Sequence, residues 1–248
     1  MPCSPDAAAA TSAPPEPAVA AGRLAEEAAR IVSALEPADA LRFLFELDTR
    51  LYAMQGKASV AYGGGIHTKH RHIRYHDFFV QRIAAHETVL DIGCGHGAVA
   101  LAVASATGAK VTGIDLSEGN LRIARERHTH PNVTYIHGNA CRDLPAGHYD
   151  VVILSNVLEH IEHRVEFLRQ VQAAATPHRW LVRVPLFERD WRVPLKKELG
   201  LDWRLDRTHF TEYTHESFMA ETTAAGLALT YHETRWGEIW AELLPNCE

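Results

Sequence analysis

The stretch Val89-Leu90-Asp91-Ile92-Gly93-Cys94-Gly95-His96-Gly97 limits the fold more than any other part of the chain. An apolar strand runs directly into a turn with glycine at alternate positions, and a helix-forming run over 97–106 follows. Glycines there let the backbone turn sharply and lie against a ligand with no Cβ in the way. About 20 residues further on a second strand ends at Asp115, where a carboxylate is placed to accept hydrogen bonds from a ribose diol.

The same strand-then-helix rhythm continues downstream. Apolar runs predict strands over 88–92, 110–114, 133–137, 149–154 and 179–184, with helices over 97–106, 119–127 and 164–174. Continuously apolar strands separated by helices imply an open parallel sheet covered on both faces. The rhythm breaks after Pro185. It resumes with a helix over 214–225, a C-capping Gly226 and strands over 227–233 and 238–243. Upstream, residues 1–20 are Ala/Pro-rich and offer little apolar surface, so they read as a disordered tail. Residues 21–84 read as a helical cap and lid. Leu24 to Leu35 repeat at helical spacing until Pro37, and a second apolar face runs from Leu41 to Leu51. Gly56 and Gly63-Gly64-Gly65 read as interruptions, followed by a third helix over 73–83. The main domain is expected over 85–248, with a substrate-lid insertion at about 186–211.

Charge and cysteine usage exclude several classes. The 25 Lys and Arg against 31 Asp and Glu give a net charge of −6, which argues against a bulk nucleic-acid binder. Cys3, Cys94, Cys141 and Cys247 follow neither a zinc pattern nor a disulfide framework, so a reducing cytoplasm is expected. The apolar runs are strand-sized, so no signal peptide and no membrane span are expected.

Two cofactor chemistries fit the glycine turn. Gly93, Gly95 and Ala98 also satisfy the loose nicotinamide-dinucleotide fingerprint. Asp91 shifts the balance: beside a pyrophosphate it would repel, whereas it can orient an ammonium group. In this setting residues 89–97 resemble motif I of the class I S-adenosylmethionine-dependent methyltransferases. Val111–Asp115 resembles their second strand, Gly138-Asn139-Ala140 the loop after the third, and 149–159 the fourth strand and its sequel. The resemblance spans about 85–245 in the expected order. It implies a Rossmann-like α/β fold of seven strands with the last antiparallel, helices on both faces, and S-adenosylmethionine as cofactor. It further implies close backbone approach at Gly93, Gly95 and Gly97, ribose binding by Asp115, and adenine surroundings from Asn139, Ala140 and Leu116. Ser155 and Asn156 fall where the methionine end is contacted. The nearest branch modifies small molecules or glycans.

Two segments are expected to cover the crevice at the carboxyl ends of the strands. The first, 62–76, concentrates four histidines behind the triglycine. Arg71 or Arg74 would pair with the cofactor's carboxylate, while Tyr62, His67 and Tyr75 would line the acceptor side. A plain solvated face is the alternative. In the second, 186–209, Trp191, Arg192 and Trp203 would meet a polar or saccharide acceptor. The alternatives there are a salt-bridged structural insertion and a homodimer contact. Transfer of an activated methyl group needs alignment and a deprotonated acceptor. His160 and, oriented by Asp206, His209 are therefore the candidate bases. Glu159-His160-Ile161-Glu162-His163 is not H-E-x-x-H, and no metal ligands are assigned. The expected activity is O-methylation of a small polar molecule or saccharide. N-methylation, nicotinamide redox chemistry and a non-catalytic partner subunit are the competing readings.

Overall fold

The computed structural model describes residues 16–246, so Cys3, Cys247 and the first fifteen residues of the expected tail lie outside the described residues. The chain divides between Ala58 and Ser59 into two compact units. The first holds α1 (Pro17–Val32) and most of α2 (Pro37–Tyr62). Proline opens both helices, because its fixed φ suits the first turn and its missing N–H would have no partner there. Residues 17–20, expected in the disordered tail, are therefore helical. Gly56 does not interrupt α2. One interior glycine costs a helix about 1 kcal/mol, which this 26-residue helix absorbs. The triglycine does end it, with Gly64 and Gly65 at φ of +65° and +99°.

The helix expected over 73–83 is instead two short ones, α3 (Lys69–Ile73) and α4 (His76–Val80). Arg74 separates them in the left-handed region at φ +49°, its N–H closing α3 onto the His70 carbonyl.

Among the described residues seven strands form one sheet in the order β3-β2-β1-β4-β5-β7-β6. These are β1 (Thr88–Ile92), β2 (Lys110–Asp115), β3 (Val133–His137), β4 (Val151–Ser155), β5 (Arg179–Pro185), β6 (Leu227–Arg235) and β7 (Glu238–Pro245). The first five pair in parallel, and β7 runs antiparallel to both its neighbours. This is the sheet expected from the family resemblance, with strand ends shifted by at most two residues. The helices between them are α5 (Ala98–Thr107), α6 (Glu118–Arg127), α7 (Arg164–Ala175), α8 (Arg192–Glu198) and α9 (His215–Ala224).

Alternation along each strand builds two cores on opposite faces of the sheet. Val89, Val111, Val151, Ile153 and Leu181 pack with Phe78 and Phe79 of α4 and Val99 and Val103 of α5. Leu90, Ile92, Val152, Leu154 and Val182 pack with Phe167, Leu168 and Val171 of α7 and Phe218 of α9. Burying each such side chain contributes about 1.5–3 kcal/mol. The central strands are covered on both sides, which is why their sequences are mainly apolar. Asp91 and Arg183 depart from this: Asp91 lies on the α5 face of β1, 1% exposed, and Arg183 is half-buried within β5.

Candidate cofactor and acceptor site

The β1–α5 turn is built by three glycines with different tasks. All have positive φ, at +67°, +55° and +80° for Gly93, Gly95 and Gly97. A Cβ on Gly95 would meet nothing within 4 Å, so this peptide faces open space. A Cβ on Gly93 would lie 2.6 Å from Val157, and one on Gly97 would land on the Tyr135 hydroxyl. Gly97 is buried and starts α5. Its role is thus close packing beneath Tyr135, rather than the ligand approach expected for all three.

Asp115, at the end of β2, anchors this turn. Its Oδ2 accepts the Gly95 N–H at 2.8 Å, and its Oδ1 accepts the Ser117 N–H at 2.8 Å. A carboxylate has about four acceptor positions; with Asn120 Nδ2 also donating to Oδ1 at 3.4 Å, the capacity left for a diol lies on Oδ2. Next to it Leu116 is 68% exposed, an apolar side chain left uncovered where the resemblance places adenine. Asn139 is occupied locally, its Oδ1 accepting the Cys141 N–H at 2.9 Å, and Ala140 packs against the core.

The other end of the crevice is electrostatically unfinished. Asp91 has a buried oxygen, Oδ2, with no hydrogen-bond partner. Burial, reinforced by Asp115, pushes its carboxyl up to about 7. A cation at this strand end would supply what the carboxylate lacks. The uncovered Leu116, the open Gly95 peptide, the capacity of Asp115 and the orphan oxygen of Asp91 together fit a nucleoside carrying an ammonium group. They fit a pyrophosphate poorly, since Asp91 and Asp115 would repel it.

Beyond β4, Asn156 stands at φ +58°. Its side chain is engaged: Oδ1 accepts from Arg183 Nε at 3.1 Å and Nδ2 donates to Glu238 at 3.3 Å. Arg183 also lies 4.7 Å from the Tyr75 ring centre and pairs with Glu238 at 3.2 Å. Neither Arg183 nor Glu238 was identified from the sequence. Ser155, half-buried, sits opposite Arg183 in the sheet.

His160 and His209 do come together, across 49 residues of chain, with ring centres 4.6 Å apart. The orienting partner of His209 is not Asp206. That carboxylate caps Thr208, while His209 Nδ1 meets Glu212 Oε1 at 3.1 Å. The network fixes both tautomers. Thr208 gives its single hydroxyl proton to Asp206 at 2.8 Å, so its oxygen accepts from His160 Nδ1 at 2.8 Å. Glu212, also ion-paired with Arg189, accepts from His209 Nδ1. In the neutral form each imidazole therefore keeps its lone pair on Nε2. Thr208, Glu212 and Arg189 lie in the insertion and were not singled out as site residues, because their roles depend on a turn that no local pattern announces. Glu159 joins this cluster. Both its oxygens are buried without a partner, and burial raises its carboxyl to about 8. The donor atoms of Glu159, His160 and His209 lie within 4.8 Å of one another, close enough to share a cation, a grouping the sequence reading did not assign.

The remaining expected contacts divide. Tyr62 and Trp191 are exposed at 83% and 70%, and Tyr75 is half-buried on Arg183. His67 serves as a local cap instead, its Nδ1 accepting the Lys69 N–H at 3.1 Å. Arg74 pairs with Asp77 at 2.7 Å and Arg192 with Asp190 at 2.6 Å; Arg71 is exposed. Trp203 packs edge-on against Phe187, centres 5.1 Å apart, with the Lys197 ammonium over it, so it stiffens the insertion.

Sheet order, the glycine turn and the two acids at the ends of β1 and β2 match the pattern of the class I S-adenosylmethionine-dependent methyltransferases. A family described as methyltransferase domain matches residues 66–232, and the chain belongs to it: an enzyme whose cofactor is S-adenosylmethionine. Among its relatives, a ubiquinone biosynthesis O-methyltransferase of Bordetella parapertussis is 40% identical over 97 residues, 38% of this chain and 40% of that one. The enzyme of the same name from Hydrogenovibrio crunogenus is 30% identical over 147 residues, 57% of this chain and 60% of that one. The matches thus span two to three fifths of these relatives' length. In fold, the chain is similar to magnesium protoporphyrin IX methyltransferase of Synechocystis PCC 6803 with bound SAH. That likeness has a TM-score of 0.56 at 19% identity and covers 71% of this chain and 84% of that one. No helix among the described residues is long and apolar enough to cross a membrane.

Proposed function

We propose that this enzyme transfers a methyl group to a hydroxyl oxygen of a small polar molecule, with a phenolic hydroxyl favoured over a saccharide. The observation that carries the reading is the His160–His209 pair: each ring is engaged through Nδ1, so that in its neutral form it turns the Nε2 lone pair toward the space beside the carboxyl ends of β4 and β5. The relatives named for ubiquinone biosynthesis support a phenol, whose proton a neutral imidazole removes far more readily than that of a sugar alcohol.

S-adenosylmethionine, when bound, supplies an electrophilic methyl group on a sulfonium centre. The chain's residues do the rest. Asp115 would receive the ribose, Leu116 would pack against the adenine, and Asp91 would pair with the ammonium group. His160 Nε2, on the more accessible of the two imidazoles, would hold the proton released by the acceptor hydroxyl. Thr208 and Asp206 hold the ring that becomes charged. His209, buried and tied to Glu212, supports it from below. The cytoplasm is the compartment this chemistry suits.

Purified enzyme with S-adenosylmethionine and a panel of catechols, monophenols, amines and monosaccharides tests the assignment, with methyl ethers detected by mass spectrometry. Methylation of phenols and not of amines or sugars is expected. Turnover confined to amines or to sugars would overturn it.

A further inference from the structure

At the opposite, amino-terminal edge of the sheet lies a second cluster that methyl transfer does not use. His148 and Asp150 precede or flank the start of β4, His178 precedes β5, and their donor atoms fall within 4.8 Å of one another. We propose that His148 Nε2, His178 Nδ1 and Asp150 Oδ1 bind a divalent transition-metal ion that prefers imidazole, zinc being the best match, with water as fourth ligand.

Spacing favours a cation over direct pairing. Asp150 Oδ1 lies 3.4 Å from His178 Nδ1 and 3.7 Å from His148 Nε2. These are long for hydrogen bonds. They approach the edge of a tetrahedron with metal–ligand bonds of 2.0–2.1 Å, which is about 3.4 Å. Two imidazoles and one carboxylate are also a donor set suited to zinc, cobalt or nickel.

The ligands are held from behind, as metal ligands commonly are. Asp150 Oδ2 is taken by the Thr88 N–H at 2.8 Å and the Thr88 hydroxyl at 2.9 Å, which leaves Oδ1 facing the histidines. His148 Nδ1 contacts the Thr176 hydroxyl at 3.1 Å, which leaves Nε2 facing Asp150. The backbone is fixed as well. The His178 and Arg179 N–H groups both donate to the Asp150 carbonyl, and the Tyr149 N–H to Ala175. The two imidazole rings already meet edge-on at 4.7 Å. An ion here would clamp the entrances of β1, β4 and β5 together. It would act on stability and not on methyl transfer, because the crevice is at the other end of the strands.

Sixteen histidines in the chain make location as important as affinity. Zinc chloride is titrated calorimetrically into the full chain and into His148→Gln/His178→Gln. Zinc-soaked crystals are measured for anomalous scattering at the zinc edge. The expected results are an anomalous peak between His148, Asp150 and His178, and one equivalent of zinc bound by the wild type but at least tenfold more weakly by the variant. Zinc should raise the thermal midpoint of the wild type only, and the variant should keep its methyl-transfer rate. Equal zinc binding by the variant, or a peak confined to Glu159, His160 and His209, would overturn the proposal.

Discussion

Asp91→Asn should separate the stability of the domain from its affinity for cofactor, moving the two in opposite directions. The folded carboxyl is held at about 7 by burial and by Asp115, against an ordinary 3.8. A carboxyl raised in this way binds its proton more tightly folded than unfolded. Its contribution is therefore most favourable below about pH 4 and is lost as pH climbs from about 4 to about 7. The interval is about three pH units at 1.36 kcal/mol each, so ionised Asp91 costs the cofactor-free enzyme about 4 kcal/mol at pH 8. Asparagine removes the charge but leaves a polar group in the same place, so it should recover about 2–4 kcal/mol. At 2–4 °C per kcal/mol for a domain of this size, that is a rise of roughly 4–16 °C in melting temperature at pH 8. At pH 4, where folded Asp91 is protonated and the unfolded carboxyl is only about half ionised, the gain should shrink to under about 1 kcal/mol. The demethylated cofactor carries the same ammonium group, and its affinity should fall at least tenfold at pH 8. Differential scanning calorimetry at the two pH values, with titration calorimetry of the demethylated cofactor, measures both effects. A variant that melts below the wild type at pH 8, or that binds cofactor within twofold of it, would refute the reasoning.

Asp115→Ala removes the ribose acceptor and frees the Gly95 and Ser117 N–H groups; cofactor affinity by calorimetry should fall about 10–100-fold. His160→Ala should lower kcat on a phenolic acceptor by about 10²–10⁴, with affinity for the demethylated cofactor within threefold. A full loss in His209→Ala with none in His160→Ala would exchange their roles. Gly97→Ala forces a methyl group against the Tyr135 hydroxyl at φ +80° and should destabilise the fold by about 1–3 kcal/mol, read as a lower urea midpoint at unchanged slope. Thr214→Ala removes the capping box of α9 and should cost about 1 kcal/mol in the same assay.

What could be read along the chain follows the range over which each interaction acts. Strand identity at Val89–Ile92 is local: side chains buried on both faces are mainly apolar, and a glycine with positive φ follows. Asp91 and Asp115 were legible because they stand at fixed offsets from that turn. The helix over 73–83 was misread because the left-handed turn at Arg74 falls on a residue that sequence gives no reason to suspect. The orientation of His209 was misread for a different reason. Asp206 and Glu212 both stand three residues from His209, but the Asp206 carboxylate is consumed by Thr208, which leaves Glu212 to take the imidazole. In such networks each acceptor satisfied locally passes the task to the next, and only the whole set of partners decides which nitrogen carries a proton.

The same accounting explains why the domain tolerates so many unsatisfied acids at one edge. Asp91 and Glu159 each lack a partner, stand in or just beyond parallel strands, and have carboxyls raised to about 7 and about 8. A structural sequence optimised only for stability would place apolar residues there, as Val89 and Leu158 beside them show. By contrast Glu87, at the amino-terminal edge, is fully matched by Arg179 through two contacts of 2.7 Å. Matched charge at one end of the strands and unmatched charge at the other is the distribution expected when ligands, and not side chains, complete the electrostatics of the carboxyl edge. The cost falls on the ligand-free enzyme and is returned on binding, so cofactor should stabilise this domain more at pH 8 than at pH 5. A stabilisation that is equal at both values would show that Asp91 does not face the ammonium group.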